Sequence, residues 1–271
     1  MSTQQNVGVL VRQYRERRGL SQLSLSIEAE ISAKHLSFVE TGRAQPSREV
    51  LLRLATVLDV PFRDRNLLLK VGGFSPEYVE RRLESAELAE IARAVDFILA
   101  HHEPYPAAAL DGSWNILRMN NACIRLFGIF LGPEVMMQLV GPGTPINFIR
   151  LVFGSDLLRP YIHNWLEVAN LLRIRLLRQA ADSGTHGMVS ALLAEVWGNA
   201  PMSPVTSEME RRAELPVLTV ELAKGDTRAR LFNAMTVLGT AQDVASQELR
   251  IECSFPADRA TEELLRSLAS G

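Results

Sequence analysis

The sequence predicts two domains: a mostly α N-terminal domain of five short helices, then an α+β domain with an antiparallel five-stranded sheet covered by helices on one face. Three observations predict it. Capped helical stretches fill residues 1–75, strand-like alternation begins only at Pro106, and the alternating segments flank a long middle of helical periodicity. At 271 residues with 47% hydrophobic content, the chain is long enough to bury two cores.

The first helix is expected over residues 7–18, where Val7, Leu10, Val11 and Tyr14 form one stripe. Ser21 is placed to cap a second helix through Gln22, Leu25 and Ile27, because its hydroxyl can accept from free backbone N–H groups. Ser32 opens a third, in which Leu36 and Val39 turn inward with Ile31 while Ala33, Lys34, His35 and Ser37 stay outside. Thr41-Gly42 ends it, Ser47 opens a fourth helix with Leu51, Leu54, Ala55 and Leu58, and Pro61 starts a fifth. Residues 27–30 match the tight turn of a helix-turn-helix, whose second helix presents its N-terminal residues to base edges in the DNA major groove. A plain helical hairpin with a solvated face would carry the same two caps, and the three flanking helices decide for the DNA motif.

Charge divides the same way. Residues 1–75 carry 11 Lys and Arg against 7 Asp and Glu, and the remainder is acidic by 6, so the excess that attracts phosphate lies with the motif. Base reading falls to Lys34 and His35, with Ala33 and Ser37 contributing and Gln22 supporting them from the start of the second helix. Arg12, Arg15, Arg43 and Arg48 are the phosphate candidates, which position the domain without reading sequence.

Residues 76–104 are expected to connect the domains through a helix striped by Leu88, Ile91, Val95, Ile98 and Leu99. That stripe suits packing on the C-terminal domain or on a second copy. The C-terminal domain, residues 105–271, opens with two short strands around Asp111-Gly112, a pair that suits a two-residue hairpin turn, and continues into a helix over residues 120–127. Alternation returns over residues 217–223, turns at Lys224-Gly225-Asp226 into residues 228–238, and closes with Leu249, Ile251, Cys253 and Phe255. Between the two sets, Tyr161, Trp165, Val168, Ala169, Leu172 and Leu176 recur at helical spacing, as do Met188, Leu192, Leu193 and Val196.

Several function classes are disfavoured. Cys123 and Cys253 lie far apart without metal-ligand spacing, which argues against a disulfide framework or a zinc site. His101-His102-Glu103 lacks a third ligand, His163 and His186 read as surface or satisfied core residues, and no nucleophile elbow, phosphate loop or two-histidine helix is present. No enzyme activity and no cofactor are expected. No apolar run reaches the roughly 20 residues of a membrane span, so the chain reads as cytoplasmic.

The segments LSQLSL and VETGRAQPS, with the Ser32 helix start between them, resemble the helix-turn-helix of the xenobiotic-response-element family, whose phage repressors define the lambda-repressor-like fold. KHLSFVETGRAQPSREVLLRLATVLDVPFRDRNLLLKVGGFSP is similar to the MmyB-like branch. The blocks HHEPYPAAALDGSWNILRMNNA, INFIRLVF, IHNWLEVANLLRIRLLRQ and FPAD resemble that branch's C-terminal domain, and LDGSWNILRMNNACIRLFG resembles the entry of a PAS fold. One departure stands in the turn, where Glu30 replaces the family's usual glycine. A Cβ in a left-handed position costs on the order of 1 kcal/mol, so a slightly altered turn is expected.

The resemblance implies a transcription regulator that binds double-stranded DNA as a homodimer on an approximate palindrome and senses a small lipophilic, fatty-acid or acyl-like ligand. In the matched blocks, Asn147, Asn164 and Trp165 are candidate contacts, and Arg173 is placed to neutralise an acid. Phe148, Leu151, Val152, Phe232, Met235 and Phe255 are the candidate apolar lining. The same residues can simply fill a core, in which case the C-terminal domain is a ligand-free dimerisation or protein-interaction module.

Overall fold

The computed structural model describes residues 6–141, 145–182, 188–197, 218–237 and 243–270, so the expectations for His186 and for the strand ends at Val217 and Leu238 lie outside the described residues. The chain divides into two compact units, Met1–Arg81 with Ala241–Gln247, and Arg82–Thr240 with Glu248–Gly271.

In the N-terminal stretch of the first unit five helices build the core: α1 (Val7–Arg17), α2 (Gln22–Glu28), α3 (Ala33–Glu40), α4 (Arg48–Val57) and α5 (Phe62–Val71). Ser21, Ser32 and Ser47 each accept from the backbone N–H three residues on, which satisfies a donor left free by helix geometry. Val11, Leu25, Leu36, Leu51 and Leu54 are almost fully buried and form the centre of the core. Ile27 lies on the same helix as Leu25, as expected, but is 68% exposed, since two residues on a helix turn the side chain to the other face. Glu30 takes a left-handed φ of 53°. The turn has therefore kept its geometry where an altered one was expected, and Ile31 N–H still reaches the Ser26 carbonyl at 2.9 Å.

The second unit carries a five-stranded antiparallel sheet in the order β2-β1-β5-β4-β3, formed by β1 (Ala107–Leu110), β2 (Ile116–Met119), β3 (Leu218–Lys224), β4 (Thr227–Val237) and β5 (Arg250–Pro256). The two N-terminal strands and three C-terminal strands meet through β1 and β5, so the sheet closes only after the last strand is made. Gly225-Asp226 forms the β3–β4 turn, with Gly225 at a φ of 57°.

The first hairpin is wider than Asp111-Gly112 suggested. Leu110 pairs with Ile116, and the Asp111 carboxylate accepts from the N–H groups of Ser113 and Asn115, while Trp114 rather than Gly112 takes the positive φ. Side-chain bonding by Asp111 has outcompeted a tight turn.

Helices cover both faces of the sheet, where helices on one face were expected. On one side α6 (Ala89–His101) packs Val95 and Leu99 against Ala107, Ala109, Ile251 and Cys253. On the other lie α7 (Asn121–Phe130), α8 (Pro133–Val140), α9 (Phe148–Phe153), α10 (Trp165–Asp182) and α11 (Met188–Trp197), whose larger core includes Trp114, Phe130, Ile149 and Leu176. The short α12 (Val244–Glu248) leads into β5, and a C-terminal α13 (Arg259–Ser270), not anticipated from the sequence, buries Leu265 in that larger core.

Candidate DNA interface and ligand cavity

The third helix is locked by a buried charge network. Arg15 of α1 donates to both Glu40 carboxylate oxygens at 2.6 and 3.0 Å and to the Leu20 carbonyl at 2.8 Å. Gln22 of α2 donates to the same carboxylate at 2.8 Å. The Glu40 side chain is only 1% exposed, so its charge is met almost entirely by these donors. Gly8 brings α1 so close that a Cβ there would stand 1.9 Å from the Val39 carbonyl oxygen.

This network corrects one expectation. Arg15 is buried and its guanidinium is committed to Glu40 and Leu20, so it orients the helix instead of reaching for phosphate. Gln22 is held in the same network. Ala33 and Lys34 stand exposed at the start of α3, with His35 and Ser37 half-buried beside them, and Lys34 Nζ lies 5.7 Å from the centre of the Phe38 ring. Arg43 is exposed in the following loop. Arg12 bonds Glu16 at 2.7 Å and Arg48 bonds Glu77 at 2.6 Å, both on the surface, where water and salt screen an ion pair and leave it weak enough to yield to a phosphate.

In the second unit a cavity opens between the sheet and the larger helical layer, with about 790 Å³ of space that no protein atom fills, part of it open to solvent. Helix α7 contributes Cys123, Leu126 and Phe127; α9 contributes Phe148 and Val152; α10 contributes Val168, Leu172 and Arg175. The floor is Ala107 and Ala108 of β1, Val220 and Leu222 of β3, Leu231 and Asn233 of β4, and Glu252 and Ser254 of β5. Its described walls are apolar apart from Arg175, Asn233, Glu252 and Ser254, the mix of surfaces expected of a small-molecule site.

Those four form one polar end. Asn233 and Ser254 pair across β4 and β5, and the Ser254 hydroxyl lies 3.0 Å from the Asn233 side-chain oxygen. Asn233 also hydrogen-bonds the Glu252 carboxyl, towards which Arg175 directs its charge. Burial nevertheless holds that carboxyl above the ordinary range, because desolvation outweighs the help of Arg175, Arg250 and Asn233. The Cys123 thiol is pushed up to about 12 by burial and so stays protonated and unreactive.

Among the ligand-contact candidates, Phe148 and Val152 are in this lining. Leu151 is fully buried in the core beside them. Asn147 caps α9 and holds the Ser113 carbonyl, while Asn164 clamps β3 through Thr219 and Glu221, so both serve the backbone. Trp165 packs on Phe153 and carries Arg159 over its ring. Arg173 lies two positions before the lining arginine, Arg175.

Phe232 and Phe255 stack on each other at 5.1 Å, and Phe255 packs with α6, on the sheet face away from the cavity. Met235 is 37% exposed and outside the lining. The alternation of these strands was legible, but the face chosen for Phe232 and Phe255 was the wrong one, since alternation does not say which side is hollow. Glu252 and Ser254 were missed for the same reason; a Glu at an interior strand position was the available signal.

Among the described residues no group of three His, Cys, Asp or Glu side chains is arranged to hold a metal, and no helix is long and apolar enough to cross a membrane. His101 and His102 each bond a backbone carbonyl, of Phe97 and Ser254.

Comparison with known proteins matches residues 6–68 to a helix-turn-helix domain and residues 91–268 to the MmyB-like transcription regulator ligand-binding domain. A search of curated proteins returns no match. Among solved structures, the SinR–SinI protein complex is similar over 33% of this chain and 78% of its own, at 24% identity and a TM-score of 0.22. An RNA-binding light-oxygen-voltage receptor is similar over 97% of this chain and 61% of its own, at 12% identity and a TM-score of 0.30. Neither superposes closely enough to support an argument. The family matches do: this chain belongs to the MmyB-like transcription regulators, with a helix-turn-helix DNA-binding domain ahead of the family's ligand-binding domain.

Proposed function

We propose that this regulator is a cytoplasmic homodimer that reads an approximately palindromic operator and changes its DNA affinity when a small lipophilic, fatty-acid or acyl-like molecule fills the C-terminal cavity. In this reading residues 1–75 bind DNA, residues 76–104 connect, and residues 105–271 sense the ligand. Two recognition helices would meet half-sites about 34–36 Å apart or a multiple of that. Lys34 and His35 read bases with help from Ala33 and Ser37, while Arg43, Arg48 and Arg12 take phosphates. The ligand acts by preferring one arrangement of the paired DNA-binding domains, because equal affinity for both would shift nothing.

The observation that carries the sensing half is the apolar cavity with its single polar end. A hydrophobic fluorescent dye tests it. Saturable binding that medium-chain lipids compete away is the expected result, and a linear, non-competable signal would contradict it and favour a ligand-free interaction module. For the DNA half, His35→Ala is expected to cost about 1–3 kcal/mol at one operator position and leave the others unchanged. Equal losses on operator and random DNA would remove His35 from base reading.

A further inference from the structure

Glu252 is a carboxylate on the floor of a cavity whose other walls are almost wholly apolar, and the reading above sends an acidic amphiphile to that cavity. Among the described lining residues Arg175 is the one basic side chain. An acidic head group seeking a cation there must come to the residue that Glu252 already faces. Two carboxylates would then share one guanidinium inside an apolar wall, and like charges brought together in a low-dielectric site do not both stay ionised.

The surroundings offer little else to carry the excess charge. Along β5, Arg250 faces Glu252 electrostatically, but its guanidinium donates to Gln179 at 2.9 Å and lies 5.4 Å from the centre of the Trp114 ring. Cys253, the next residue, points to the α6 side and is neutral. From β1 the cross-strand partner is Ala108, and from β4 it is Met235, with Asn233 supplying an uncharged amide. The cluster thus has one carboxyl, one cation, one amide and one hydroxyl, which can hold a second carboxyl only in a form that binds a proton.

We propose that the cavity takes its acidic ligand together with one proton from solvent, held between the ligand carboxyl and Glu252 while Arg175 neutralises the remaining negative charge. No covalent bond forms or breaks, and the added proton leaves the pair of carboxyls with a single charge. Burial already biases Glu252 toward the protonated form, in the direction the ligand needs. The consequence is a sensor whose grip on acids weakens as pH rises, while its grip on uncharged amphiphiles of the same length does not. This inference rests on the cavity being the ligand site.

Calorimetric titration of the full-length protein with decanoate and with decanol, in two buffers of different ionisation enthalpy between pH 7 and 8.5, tests it. Proton uptake with decanoate should grow towards one as pH rises and Glu252 ionises in the free protein, and its Kd should rise over the same range by up to about tenfold per pH unit. Decanol should show neither effect. Glu252→Gln should bind decanoate without proton uptake and with a flat pH profile, decanol binding serving as the check that the variant is folded. Arg175→Gln should lose decanoate and keep decanol. Decanoate bound with no proton uptake, or decanol bound while decanoate is refused, would overturn the proton linkage and leave the cavity reading standing. Failure of both probes would overturn the two together.

Discussion

In the helical N-terminal unit the buried acid Glu40 is met by Arg15 and Gln22, whereas in the C-terminal sheet the buried acid Glu252 looks into a cavity. Both charges sit on a core wall, and their surroundings differ in completeness. Glu40 is closed in by protein donors and serves to fix the angle of α3 against α1 and α2. Glu252 has a partial set, one amide and one guanidinium beside open space, and its carboxyl is held above the ordinary range by burial. A saturated network specifies a shape, and an unsaturated one invites a ligand.

The contrast is broken most directly at Glu40. Glu40→Ala should destabilise the N-terminal unit by about 3–5 kcal/mol, because it strands the buried guanidinium of Arg15. Denaturant unfolding followed by circular dichroism checks this, and a loss below about 1 kcal/mol would reduce the network to an ornament of the surface.

Glu252→Gln should do the opposite. A carboxyl whose titration is raised on folding favours the native state below its unfolded pKa and loses that advantage as pH climbs through the folded value. The variant should therefore melt higher than the wild type at pH 8 and equal to it near pH 4. A Tm gap of the reverse sign at pH 8 would show that Arg175 more than compensates burial.

Ala108→Leu sharpens the comparison from the apolar side. Ala108 is buried in the cavity floor, and the added methyl groups should fill empty space, stabilising by about 0.5–2 kcal/mol while reducing dye binding. Destabilisation of 1 kcal/mol or more would mean that the space is already packed. The smallest expected effect belongs to the fully packed unit: Glu30→Gly should relieve the left-handed strain by up to about 1 kcal/mol, read as a rise in denaturation midpoint.

The two units also differed in how far the sequence revealed them. Helix caps are local chemistry, so Ser21, Ser32 and Ser47 could be placed to the residue, as could the left-handed demand on Glu30. The five strands were legible as two alternating segments before a helical middle and three after it, though not the order in which they pair. What stayed hidden depended on partners far away in sequence. Nothing near Arg15 announces Glu40, and the phosphate role expected for it dissolved in that pairing. Nothing in the alternation of residues 249–255 says that α6 covers Ile251 and Cys253 while Glu252 and Ser254 face a cavity. Arg173, the arginine singled out from the sequence, lies on the helix that lines the cavity, but the lining arginine is Arg175; the spacing of Val168, Leu172 and Arg175 was the available signal, since residues two apart on a helix face opposite ways.

Native mass spectrometry of the purified protein, followed by denaturing extraction, asks whether the cavity is filled. A dimer carrying one discrete apolar adduct per protomer, or acquiring one from a library of acyl compounds, is the expected result. A dimer that stays bare after incubation with that library would contradict a lipophilic sensor and make the C-terminal domain an interaction module.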